Sequence, residues 1–153
     1  MFRGLFLFLG RFCLSLIFLS SGSEKLLDWH GAEQSLTRHL GDFARHVSQK
    51  PLLEEALAFS LEHPQALLVV ATVFELFGAL CVLLGLGVRL GAILLALFLI
   101  PATLVYHWFW DLLPPSRDLQ MILFLKNLSI LGGLFLLIGM GSSKKGRAPK
   151  KGE

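Results

Sequence analysis

Residues 66–110 read ALLVVATVFELFGALCVLLGLGVRLGAILLALFLIPATLVYHWFW. Across this stretch only Glu75 and Arg89 carry a fixed charge, and Gly85-Leu86-Gly87 divides it into two apolar runs. A bilayer hydrocarbon core of about 30 Å takes roughly 20 helical residues. Each run is therefore long enough to cross once, with the glycine break turning the chain between crossings.

Two more runs of the same kind flank this hairpin. The four expected spans are about 4–23, 66–86, 90–110 and 119–140. Only 16% of the 153 residues are charged, against about 25% in an ordinary soluble domain. The deficit is concentrated in the four runs, so it describes a membrane protein. The expected fold is all-α: a four-transmembrane-helix bundle forming one domain over 1–142, with a basic disordered tail over 143–153. The first run can also be read as a signal peptide, with Arg3 and Arg11 before a short apolar core and Ser20-Ser21-Gly22-Ser23 as a cleavage zone. A retained helix fits better, because its polar positions fall on one face.

Lys and Arg set the expected orientation. Arg3, Arg89, Lys144, Lys145, Arg147, Lys150 and Lys151 gather on one side in short segments. The other side mixes its basic residues with nine acids, from Glu24 through Asp118. Cytoplasmic loops are the positive ones, so both termini are expected in the cytoplasm. The basic tail then lies near anionic headgroups. No aromatic or groove-reading motif accompanies it, so nucleic acid is not an expected partner.

The long 24–65 connection falls on the outer side. Leu36, Leu40, Phe43 and Val47 recur at helical spacing. Pro51 suits the first turn of a second helix through Leu61, and Pro64 can open the second span. Short amphipathic helices capping the outer surface are expected here. His39, Asp42 and His46 share spacing with metal ligands, but a solvated polar face is the stronger reading and no metal is expected. Cys13 and Cys81 lie inside apolar runs with no CxxC pattern, which leaves no thiol relay to run. Residues 78–87 resemble residues 132–141, and both end a helix running inward. Two parallel hairpins would explain that likeness.

A charge at mid-bilayer costs about 2.5–3.5 kcal/mol on insertion scales. Each span nonetheless carries a strongly polar or ionisable residue: Arg11, Glu75, His107, and the adjacent Lys126 and Asn127. Helical spacing groups these with small residues, so they are expected to meet inside the bundle as one polar site. Glu75 is expected to pair with Arg11, Lys126 or both, Arg being the better buried partner. Lys25 stands at the outer rim of the first span. Pro101 is expected to kink the third helix beside Thr103, widening it around His107. The polar set reads either as a proton- or ligand-handling site or as a network that fixes helix register. For His107 an interfacial aromatic belt with Tyr106, Trp108 and Trp110 is the stronger reading.

Several of these segments, taken in order, carry a resemblance. They are Ser21-Gly22 with Lys25-Leu26, then Glu75-Leu76-Phe77-Gly78 with Leu83-Leu84-Gly85, then Arg89. The His107–Phe109-Trp110 cluster and Phe124-Leu125-Lys126-Asn127 with Leu131-Gly132-Gly133 follow. In this order the sequence resembles the DoxX-like membrane proteins across all four spans. The resemblance implies a four-helix protein of the bacterial inner membrane. Relatives are linked to quinone-coupled sulfur oxidation and to complexes resisting oxidative stress, while more distant kin act as cargo receptors or assembly factors. It carries over no catalytic residue. It makes Lys25, Glu75, His107, Lys126 and Asn127 the positions to test.

Two functional expectations follow. In one, the chain is an accessory subunit of a membrane redox complex, quinone-linked or concerned with oxidative stress, and a quinone is its one plausible cofactor. No haem, flavin, iron–sulfur or dithiol motif is present in the sequence, so electrons would come from a partner's cofactor. In the other, the chain is a non-catalytic scaffold or assembly factor whose buried charges are structural. Its expected partners are the lipid bilayer, redox or assembly proteins, and further copies of itself.

Overall fold

A computed structural model of the chain describes residues 2–47 and 51–140. The basic tail expected over 143–153 lies outside the described residues. Six helices follow one another: α1 (Phe2–Leu27), α2 (Trp29–Val47), α3 (Pro51–Glu62), α4 (Pro64–Leu84), α5 (Val88–Tyr106) and α6 (Ser116–Met140). Four of them, α1, α4, α5 and α6, are long and apolar enough to cross a membrane. The four-span all-helical reading therefore stands. We call the end that carries α2 and α3 the outer end.

Two helix boundaries differ from the expectation. α1 continues to Leu27 rather than stopping near Ser23. α5 stops at Tyr106, four residues short of Trp110, so His107 caps the helix instead of lying within it, with its N–H donating to the Thr103 carbonyl. The helix passes through Pro101 without ending. At α4 the start matches: Pro64 occupies the first turn, where a missing N–H costs nothing. α4 ends at Gly85 with φ of 75°, a left-handed position that glycine adopts freely. Gly87 repeats this with φ of 63°, and α5 begins one residue later.

The core is built on the α4–α5 hairpin. Gly78 and Gly91 face each other where the two helices cross, and a Cβ on Gly91 would lie 2.7 Å from the Gly78 carbonyl oxygen. Ala79, Val82, Ala92 and Leu95 are fully buried around this crossing. Small residues replace side-chain bulk with backbone contact, the means by which helices associate where lipid is as apolar as leucine. α1 packs against α4 on one side of the hairpin and α6 against α5 on the other. Phe18 and Leu134 reach into the same core from α1 and α6.

α2 is longer than a short capping helix. It buries Leu36, Leu40 and Val47 against Leu57 of α3 and Leu68 of α4, with Val105 and Tyr106 packed alongside. Those positions lie on the apolar stripe that its sequence spacing marks out, with Phe43 half-buried beside them. His39 departs from the expected solvent face: it stacks on Tyr106, 4.4 Å between ring centroids. α3 is the short one, and Pro51 opens it as expected.

Candidate functional site

The one acid deep within the spans, Glu75, is 1% exposed and sits near the middle of α4. Its Oε2 accepts a hydrogen bond from Lys25 Nζ at 2.6 Å. The same ammonium donates to Ser21 Oγ at 2.8 Å, so Lys25 bridges the hydroxyl and the carboxylate. Lys25 Nζ also stands 5.2 Å from the centre of the Phe98 ring on α5. Cation, anion, hydroxyl and aromatic face form one closed cluster.

Glu75 was expected to pair with Arg11 or Lys126, and it pairs with neither. Helix direction explains why. Side chains on an α-helix lean toward its N-terminus. α1 and α4 run in opposite senses, so Lys25 leans inward while Glu75 leans outward, and the two meet. Arg11 leans away from Glu75, and its guanidinium rests against Gly85 at the inner end of α4. Fourteen residues of α1 separate it from Lys25, about 21 Å of helix. Lys126 is on α6, which packs on α5 rather than α4, and its side chain is exposed. Lys25 stands near the outer end of α1, and its side chain, 19% exposed, turns in to the buried carboxylate.

The other polar residues form separate contacts. Asn127, 9% exposed, donates from Nδ2 to Thr103 Oγ1 at 3.1 Å, and that hydroxyl donates to the Leu99 carbonyl. His107 Nδ1 lies 2.8 Å from Gln120 Oε1. Both contacts tie α5 or its end to α6. The expected single polar site is thus a set of bolts, one between α1 and α4 and two between the α5 end and α6. Replacing Asn127 with Leu removes one interhelical bond while Thr103 keeps its bond to Leu99. The expected loss is about 0.6 kcal/mol and no more than about 1.7 kcal/mol in thermal or denaturant unfolding.

Arg11 Nε and Ser15 Oγ, one helical turn apart, are buried with no hydrogen-bond partner among the described residues. Arg11 is nonetheless well placed electrostatically, since the C-terminal end of α4 carries partial negative charge.

Toward the outer end the Glu75 cluster continues into aromatic and polar groups. His39 of α2 stacks on the Tyr106 ring. His39 Nδ1 lies 2.8 Å from the Ser35 carbonyl. An aromatic layer follows: Trp108 packs on Trp110 and edge-on to Phe43, and Phe109 packs on Phe124. Trp108 Nε1 donates to Asp111 Oδ2 at 2.8 Å, and His46 Nε2 lies 3.6 Å from that carboxylate. These contacts gather the aromatic residues for which the sequence suggests an interfacial belt. Ser21, Ser35 and Tyr106 belong to the arrangement and were not singled out as site residues from sequence. Ser21 sits four residues before Lys25, a spacing that places both on one helical face and could have marked it.

The Glu75 cluster can hold two helices in register, or it can present a donor and an acceptor to a polar headgroup. Among the described residues no three His, Cys, Asp or Glu side chains gather as metal ligands.

Comparison with known proteins agrees with this architecture. The model of the DoxX family matches residues 6–108, which run from the second turn of α1 through the end of α5 and hold both members of the ion pair. The inner membrane protein YphA of Escherichia coli (strain K12) is 28% identical over 135 residues, covering 88% of this chain and 82% of that protein. No solved structure gives a match.

Proposed function

Since the chain belongs to the DoxX family, we propose that this integral membrane protein is a non-catalytic accessory or assembly subunit of the bacterial inner membrane, with both termini in the cytoplasm. One observation carries the reading: the buried charges satisfy each other. Glu75 is 1% exposed and holds Lys25 at 2.6 Å, so each charge has its counter-charge inside the bundle. A buried pair of this kind fixes helix register, and breaking it is costly. The inner-membrane name of the Escherichia coli relative and the clustering of Lys and Arg at one set of loops and ends support the location.

A second reading keeps the same protein in a quinone-linked redox or oxidative-stress complex. What favours it is the juxtaposition of the Lys25–Glu75 pair with Phe98, Tyr106 and the stacked His39. A quinone needs an aromatic wall and a hydrogen-bond donor to its carbonyl, and these residues are of that kind.

Lipid extraction with mass spectrometry on gently solubilised protein separates the two. The comparison is wild type against the double variant Lys25→Met/Glu75→Gln. The accessory reading expects no quinone to be enriched over bulk lipid in either protein, and the double variant to remain folded. A quinone enriched on wild type and absent from the folded double variant would sink that reading and establish the quinone-linked one.

A further inference from the structure

The four spans form an arc that does not close. α1 contacts α4, α4 contacts α5 and α5 contacts α6, whereas α6 and α1 scarcely touch. They come close in the inner half, where a Cβ on Gly133 would lie 3.3 Å from Leu14 Cδ1. Lys126 precedes Gly133 by seven residues, two helical turns toward the outer end and on the same face. There α1 no longer covers α6: Lys126 is exposed and makes no ion pair or hydrogen bond among the described residues. Ser129 is exposed beside it, and a Cβ on Gly132 would meet nothing within 4 Å. α6 has only 6% of its span core buried, the least of the four.

We propose that this open seam between α1 and α6 receives a transmembrane helix of a second protein, and that this helix carries an Asp or Glu at the depth of Lys126. Charge complementarity names the partner's chemistry. Leu119 is the first apolar residue of α6, so Lys126 lies about 10 Å along the helix below the outer edge. Its side chain leans toward that edge, but a four-carbon stem covers only part of the distance. An ammonium left in hydrocarbon calls for a counter-charge there.

A second copy of this chain cannot supply it. Glu75, the acid at depth, is taken by Lys25, while Glu24 and Asp118 stand in the outer turns of α1 and α6. A symmetric α6–α6 contact would also set two ammonium groups against each other. The small residues Ser129 and Gly132, both open, let an incoming backbone approach closely, as helices in membranes prefer. The inference rests on the accessory reading only in supplying the chemistry of its partner.

The test uses the full chain, labelled with a donor fluorophore and reconstituted in phosphatidylcholine vesicles. Synthetic polyleucine transmembrane helices carry the acceptor, with a single Asp two turns below one end, or Leu at that position. Energy transfer to the Asp helix is expected to be several-fold stronger than to the Leu helix. The preference disappears in Lys126→Met and returns in Lys126→Arg. Equal association of both helices with wild type overturns the acid partner while leaving helix docking, and with it the accessory reading, standing. A preference that persists in Lys126→Met overturns the role of Lys126. Failure of either helix to associate, with strong transfer between differently labelled copies of the chain, makes the seam a self-contact and removes both. Loss of spin-labelled phosphatidylglycerol from Lys126→Met, without an Asp preference in wild type, assigns the ammonium to lipid and likewise overturns the proposal.

Discussion

Lys25→Met is expected to destabilise the protein by about 3–5 kcal/mol, the usual penalty for leaving a buried charge without its partner. The abandoned group is Glu75, at 1% exposure. Glu75→Gln should cost less, because Lys25 is 19% exposed and its long stem can turn the ammonium toward the outer end. The double variant Lys25→Met/Glu75→Gln removes both charges and should recover most of the loss. Thermal or denaturant unfolding in mild detergent measures all three. A double variant as unstable as Lys25→Met alone would mean that the pair does more than neutralise itself.

The second large effect is expected at the α4–α5 crossing. A Cβ on Gly91 would lie 2.7 Å from both the Gly78 carbonyl oxygen and Cys81 Cβ. One of those neighbours is backbone and cannot rotate away, so Gly91→Ala forces the two helices apart. Overpacking of this sort costs about 1–3 kcal/mol, and Gly91→Val should exceed it. Gly132→Ala is the internal control. Its new methyl meets nothing within 4 Å, and alanine is about 1 kcal/mol the better helix former, so that variant should be neutral or more stable. Opposite signs for two Gly→Ala changes in one protein, read by the same unfolding assay, would distinguish close packing from helix propensity. Equal effects would remove the crossing as a special contact.

The helices themselves were legible because long apolar runs and their glycine and proline punctuation act locally. Pro51 and Pro64 open α3 and α4, and the Gly85–Gly87 turn joins α4 to α5, all where the sequence puts them. The family, too, could be read from ordered short segments. The polar pairs were harder. Glu75, Lys126 and Arg11 announce themselves by their cost in lipid, but which of them meet depends on helix adjacency and on the direction in which each side chain leans. α6 lies beyond α5 from α4, which took Lys126 out of contention. α1 proved one turn longer than its apolar run, which brought Lys25 in. His39 was missed as a packing residue because its polarity suits a solvent face, and only the fold reveals Tyr106 beneath it.

The ion pair also imposes an order on biogenesis. Fifty residues of sequence separate Lys25 from Glu75, which at ribosomal rates of about 5–20 residues per second is roughly 3–10 s of synthesis. During that interval α1 has no acid to receive. Its lysine sits near the end of the helix, where water can still solvate it. The carboxylate on α4 has no such refuge, being near the centre of its span. Of the two charges, the costlier one is therefore made second, when the helix that carries its partner already exists.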